Sequence, residues 1–239
     1  MGRFVDIHTH ILPGVDDGAR DQEQAMALLR MAWEDGTGAV ILTPHHRGSF
    51  RKNTPQLLRE VFGNLQARAA KELPELELYL GSEAGMELEL GEKLRQGRVL
   101  SLNGGDYVLL EFRSTATARQ VVESVLELLN YSYTPIIAHA ERYEAFRQNR
   151  RLAEEVVRLG ALIQINAGSL FGENGLSTKL CCKRLLRQRK VHFVASDAHD
   201  SENRTPILSK CYQRICRRYG ADYGERLFWR NAREMLQEK

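Results

Sequence analysis

The sequence predicts an α/β domain in which parallel strands, in an open sheet or a closed barrel, alternate with helices. Two observations carry this expectation. Seven short apolar runs, many of them β-branched, recur along the chain with amphipathic stretches between them. Each run also leads into a polar residue, as parallel strands do when right-handed crossovers deliver all their C-terminal ends to one face. A length of 239 residues suits one barrel-sized domain, residues 1–239.

The runs lie at Phe4–Ile7, Ala39–Thr43, Leu76–Leu80, Tyr107–Leu110, Thr134–Ala138, Ala161–Ile165 and Val191–Ala195. Between them, apolar residues at three- and four-residue spacing predict helices over Gln22–Trp33, Pro55–Ala70, Gln120–Leu129 and Leu152–Leu159. Asp21 and Thr54 occupy N-cap positions, and Pro55 follows as a good first-turn residue. Gly36 and Gly160 stand where helices should stop before the next strand.

Composition narrows the function classes. Net charge is +3, from 34 basic and 31 acidic residues, and the basic stretch around Lys183–Lys190 reads as a solvated helix face, so no nucleic-acid partner is expected. Residues 1–10 hold no apolar run long enough for a signal peptide, and no stretch of about 18 apolar residues could span a bilayer, so no membrane insertion is expected. Cys181, Cys182, Cys211 and Cys216 sit in charged, helical segments, which suits reduced thiols and a cytoplasmic location.

The polar strand ends form a set. His8 and His10, then Asp16 and Asp17, follow the first run; His45 and His46 follow the second and Glu83 the third. Glu111 closes the fourth, His139 the fifth, Asn166 the sixth, and Asp197 and His199 the seventh. Of seven histidines, His192 alone lies away from these ends, which makes chance placement a poor account. Imidazoles and carboxylates without thiolate suit Mn²⁺, Fe²⁺ or Zn²⁺, with Mg²⁺ open to a carboxylate-rich site. Such ligands could fill about three ions, with Glu83 and Glu111 as natural bridges. Arg142 and Arg204 follow two of the ends closely, and guanidinium groups match phosphate oxygens bidentately, which tilts the substrate toward a phosphoester.

The block Asp6-Ile-His-Thr-His-Ile-Leu-Pro-Gly-Val-Asp-Asp-Gly-Ala19 resembles the opening of the bacterial manganese-dependent protein-tyrosine phosphatases of the polymerase-and-histidinol-phosphatase (PHP) superfamily. Thr43-Pro-His-His46, Gly81-Ser-Glu83, Leu109-Leu-Glu-Phe112, Ile137-Ala-His-Ala-Glu-Arg142 and Ala195-Ser-Asp-Ala-His199 resemble its later motifs in order. The resemblance implies a distorted seven-stranded PHP-type (β/α) barrel and three metal ions, manganese foremost. One ion would take His8, His10, Glu83 and Asp197; a second would share Glu83 and take Glu111 and His139; the third would take Asp17, His45 and His199. Arg142 and Arg204 would hold phosphate while a metal-activated hydroxide attacks phosphorus. The implied substrate is phosphotyrosine in the C-terminal tyrosine cluster of a membrane-associated kinase that controls capsule or exopolysaccharide synthesis.

Rival readings are another phosphoesterase of the superfamily, such as a histidinol-phosphate phosphatase or an exonuclease, and a metal-stabilised binding module without turnover. Cys181-x5-Arg187 and Cys211-x5-Arg217 mimic the signature of cysteine-dependent tyrosine phosphatases. Both matches lie in glycine-free helical patterns, however, and lack the loop that cradles phosphate. The resemblance, whose family offers no cysteine nucleophile, implies that no covalent phosphoenzyme forms.

Overall fold

Chain segments that alternate between period two and period 3.6 fold into parallel strands joined by helices. The computed structural model describes residues 4–237. The strands are β1 (Phe4–Thr9), β2 (Thr37–Leu42), β3 (His45–His46), β4 (Glu77–Leu80), β5 (Glu83–Gly85), β6 (Tyr107–Glu111), β7 (Thr134–Ile137), β8 (Leu162–Asn166) and β9 (Phe193–Ala195). The helices are α1 (Gln22–Glu34), α2 (Pro55–Glu72), α3 (Leu90–Arg95), α4 (Ala118–Asn130), α5 (Glu144–Gln148), α6 (Leu152–Leu159), α7 (Leu176–Arg187), α8 (Ser209–Tyr219), α9 (Ala221–Glu225) and α10 (Asn231–Gln237).

All named strand pairs are parallel, in the orders β1-β2-β4 and β3-β5-β6-β7-β8-β9. The predicted α/β character and parallel arrangement are therefore present. The sequence missed that its second and third runs each feed a further short strand. Thr43 and Pro44 separate β2 from β3, where proline has no N–H for the ladder. Gly81 and Ser82 separate β4 from β5, and a Cβ on Gly81 would sit 2.7 Å from Leu102 Cδ2, so a larger residue would have to push Leu102 aside. Gly81 N–H still donates to Leu42 O (2.9 Å) and Glu83 N–H to Pro44 O (3.1 Å), which joins the two sheets across the breaks. At the far edges, Thr9 bridges Ala198 in the parallel sense; His10 N–H donates to Ala198 O (2.8 Å) and Asp197 N–H to His8 O (2.9 Å).

Side-chain alternation divides the core. Val5, Ile7, Ala39, Ile41, Leu109, Ile136, Phe193 and Ala195 form one apolar cluster, drawn from β1, β2, β6, β7 and β9. The intervening residues Val40 and Leu42 join α1 and α2 in a second cluster, and Val108, Leu110, Ile137 and Val194 join the later helices in a third. Each fully buried aliphatic side chain of this kind contributes about 1.5–3 kcal/mol.

The helix ends follow local chemistry. Asp21 and Thr54 cap α1 and α2, accepting from Gln24 N (2.8 Å) and Leu57 N (3.2 Å). Gly160 ends α6 with φ of 115°, a conformation that favours glycine. Asp35, just past α1, accepts from Leu208 N (2.6 Å) and Ser209 N (2.8 Å) and so caps α8 from across the chain.

Candidate metal centre

Every predicted ligand reaches one pocket at the C-terminal ends of the strands. His8 Nε2 lies 3.3 Å from Glu83 Oε1 and 3.4 Å from Asp197 Oδ1; His10 Nε2 lies 3.4 Å from both Glu83 Oε2 and Asp197 Oδ1. His139 Nε2 approaches Glu83 Oε1 to 2.8 Å. His45 turns Nδ1 toward Glu83 Oε2 (2.7 Å) and Glu111 Oε2 (3.6 Å), and Nε2 toward Asp17 Oδ1 (3.3 Å). His199 Nε2 lies 3.5 Å from the same Asp17 oxygen. The pocket is closed around its carboxylates except at Asp17, whose side chain is 51% exposed.

The nine residues fall into four overlapping groups, each with its donor atoms within 4.8 Å of one another: His10, Asp17, His45 and His199; His8, His10 and Asp197; His8, Glu83 and His139; and His45, Glu83 and Glu111. His45 thus bridges two groups, and His10 stands beside the Asp17 group as well as beside His8 and Asp197.

The donor set fits cations. The Nε2 atoms of His8 and His10 face each other at 3.2 Å, and His139 Nδ1 is buried without a hydrogen-bond partner. Burial and the nearby charge of Glu83 push the Glu111 carboxyl up to about 7. Burial also disfavours the Glu83 carboxylate, but the charge of His8 and hydrogen bonds from His10, His139 and His45 outweigh it and hold Glu83 well below its ordinary range. Lone pairs and negative charges that converge in this way repel until positive charge sits among them.

Backbone conformation helps to aim the ligands. His139 (φ 31°) and Asp197 (φ 58°), just past β7 and β9, both adopt the left-handed region that non-glycine residues rarely occupy, at about 1–2 kcal/mol each.

Buried polar residues fix the rings. Asp16, near Asp17 but not beside it in role, accepts from His10 Nδ1 (2.7 Å), Gly18 N (3.0 Å) and His45 N (3.0 Å). That leaves His10 Nε2 as the lone-pair side facing the pocket. Gln164 Oε1 accepts from His139 N (2.7 Å) and lies 3.2 Å from His8 Nδ1. Gln164 Nε2 donates to Asn166 Oδ1 (2.8 Å), and Asn166 Nδ2 donates to Asp197 Oδ2 (2.7 Å). One amide relay therefore ties four strand ends together. Sequence reasoning noticed Asn166 and missed Gln164, although period two places both on one face of β8. His46 lies apart, with Nε2 3.6 Å from Glu87 Oε1.

Both predicted arginines converge on Asp197 Oδ2, Arg142 Nη1 at 3.2 Å and Arg204 Nη2 at 2.5 Å. They line a cavity of about 450 Å³ that also presents Phe171, Ser196 and Lys210. A third guanidinium, unforeseen from sequence, borders the centre elsewhere: Arg47 Nε lies 2.6 Å from Glu111 Oε2.

The cysteines take no part. Cys181 and Cys182 lie in α7, and Cys211 and Cys216 in α8. Burial pushes the Cys181 thiol up to about 11 and Cys182 and Cys211 well above the usual range, so these three stay protonated near neutrality. Cys181→Ser and Cys211→Ser are expected to keep turnover of phenyl phosphate within about twofold of the parent, since no nucleophile is removed. A large loss in a variant whose circular dichroism is unchanged would revive a thiolate mechanism.

Fold and site together define a class of α/β proteins with a candidate multinuclear metal centre at the strand ends. The chain belongs to the capsular polysaccharide synthesis family CpsB/CapC, whose profile matches residues 4–237. It is 31% identical to the tyrosine-protein phosphatase CpsB of Streptococcus pneumoniae over 241 aligned positions, covering 99% of each chain. It is 38% identical to the tyrosine-protein phosphatase YwqE of Bacillus subtilis over 201 positions, covering 84% of this chain and 79% of that one. A crystal structure from work on YwqE and CpsB, described as unique metal-dependent tyrosine phosphatases, superposes with a TM-score of 0.90 at 34% identity, over 98% of this chain and 95% of that one.

Proposed function

We propose that this chain is a metal-dependent protein-tyrosine phosphatase. The observation that carries the reading is the convergence of five imidazoles and four carboxylates beside two guanidiniums at the rim of one cavity. Relatives named as tyrosine-protein phosphatases support it.

His8, His10, Glu83 and Asp197 would hold one ion, Glu83, Glu111 and His139 a second, and Asp17, His45 and His199 a third, although the donor atoms of Glu111 gather with His45 and Glu83 and those of His139 with His8 and Glu83. Manganese is foremost, with Fe, Zn or Mg as alternatives. When bound, the cations supply Lewis acidity toward phosphoryl oxygens and lower the pKa of water toward neutrality. Arg142 and Arg204, both directed at Asp197, clamp the phosphoryl group and orient it toward the centre. Phe171, partly exposed in the cavity wall, offers an apolar face to the tyrosyl ring. Gln164 and Asn166 keep His8, His139 and Asp197 in register.

In this reading β2 with β3, and β4 with β5, count as single interrupted strands. Together with the Thr9–Ala198 bridge they close a distorted seven-stranded barrel that forms one domain. The substrate is phosphotyrosine in the C-terminal tyrosine cluster of a membrane-associated kinase of capsule or exopolysaccharide synthesis, met in the cytoplasm. No helix among the described residues is long and apolar enough to cross a membrane.

The test is turnover by purified protein with Mn²⁺ added, on a phosphotyrosine peptide, histidinol phosphate and a DNA 3′ end side by side. The expected result is preferred hydrolysis of the phosphotyrosine peptide. Preferred turnover of either other substrate would replace the assignment, and metal binding without any turnover would leave a binding module.

A further inference from the structure

A second cavity, of about 270 Å³, borders the centre at Glu111 and shares no lining residue with the cavity of Arg142 and Arg204. Arg47, Arg51 and Arg113 line it, with Glu111 as its one carboxylate and Met86 and Phe112 as apolar wall. Three guanidiniums against one carboxylate give the lining a net charge of about +2, and cationic concavities concentrate anions.

The arginines differ in how far they are committed. Arg47 pairs with Glu111 at 2.6 Å, and Arg51 Nε lies 3.2 Å from Glu87 Oε2. Arg113, two residues past Glu111, is exposed and has no ion pair among the described residues. Close packing builds the site. A Cβ on Gly85 would sit 2.7 Å from Arg47 Cβ, so glycine in β5 lets the Arg47 backbone lie against the strand and hold its side chain over Glu111. The two cavities meet the cluster at different carboxylates, Asp197 for Arg142 and Arg204 and Glu111 for Arg47.

Resting on the proposed phosphatase reading, we propose that the Arg47–Arg51–Arg113 cavity is a second anion subsite. It takes another acidic group of the same phosphoprotein, either a carboxylate side chain or a second phosphate near the phosphotyrosine that is cleaved. Substrate choice then depends on negative charge beside the target tyrosine. Guanidinium geometry suits either source, since both present paired oxygens.

The test uses the full chain with Mn²⁺ and fluorescent peptides that carry non-hydrolysable phosphonomethyl-phenylalanine at the target position. Three peptides differ in one neighbouring segment: neutral, rich in Asp and Glu, or bearing a second phosphonate. Anisotropy is expected to show the two anionic peptides bound about tenfold more tightly than the neutral one, a preference that fades as salt is raised. A gain from the acidic peptide identifies carboxylates as sufficient, and a gain from the second phosphonate alone identifies phosphate as the source. Arg51→Ala combined with Arg113→Ala is expected to abolish the preference while phenyl phosphate turnover and neutral-peptide affinity stay within about twofold. Arg113→Glu is expected to shift preference toward a lysine-flanked peptide. Equal affinity for all three peptides in the parent, or equal weakening of all three in the double variant, overturns the subsite while phenyl phosphate hydrolysis continues. Failure to hydrolyse phenyl phosphate or any phosphotyrosine peptide would instead remove the phosphatase reading beneath it.

Discussion

Asp197→Ala is expected to lower turnover of a phosphotyrosine peptide by about a thousandfold or more, the scale on which loss of preorganised charge stabilisation acts. No other carboxylate in the pocket has so many partners of different kinds. Oδ1 faces His8 and His10 at 3.4 Å, while Oδ2 receives Asn166 at 2.7 Å and both Arg142 and Arg204. Alanine would remove a candidate ligand and also leave two guanidiniums without their shared anchor. The expected signature is a fall in kcat, with at least one metal equivalent lost by elemental analysis and far-ultraviolet circular dichroism unchanged. Retention of full activity with a full metal complement would remove Asp197 from the centre.

Chelation is expected to have the second large effect, on stability as well as turnover. Without cations the pocket holds Glu83, Glu111 and Asp197 buried together with five imidazoles, and the carboxylate of Glu111 is disfavoured by burial and by Glu83. Cations that bind only the folded chain stabilise it by mass action, about 2.7 kcal/mol at a hundredfold excess over Kd. For a chain of this size that corresponds to a rise in Tm of about 5–10 °C. Hydrolysis should vanish on chelation and return with Mn²⁺, and the melting curve should move in parallel. A Tm that ignores chelator while activity disappears would place the metal outside the folded core.

Much of this architecture was legible in the sequence because it rests on local rules. The β6 run was expected to begin at Tyr107 and does; α6 runs from Leu152 to Leu159 as its spacing predicts. Asp21, Thr54 and Gly160 act as the caps their chemistry suggests. The ligand residues were legible for a related reason, since parallel crossovers send strand ends to one face and the ends here are rich in His, Asp and Glu. What stayed hidden depends on contacts distant in sequence. Gln164 looks like a polar interruption in an apolar strand until His139 and His8 are seen to meet its carbonyl. Asp16 and Asp17 are chemically alike, and only folding turns one toward His10 and leaves the other half-exposed between His45 and His199. Nothing in the sequence marks His139 and Asp197 as left-handed, because tertiary packing imposes that conformation against local preference. The grouping of His45 with Glu83 and Glu111 likewise depends on β3 pairing with β5, two strands too short to read from period alone.

The join between Thr9 and Ala198 has a consequence for biogenesis. His8 and His10 leave the ribosome early, whereas Asp197 and His199 emerge only after most of the chain has been made. Two of the four donor groups, those that include Asp197 or His199, therefore cannot close until late in synthesis, whereas the groups of His8, Glu83 and His139 and of His45, Glu83 and Glu111 are complete in sequence much earlier. If the centre holds metal as proposed, a ribosome stalled before residue 197 would carry a chain that lacks two of these donor groups.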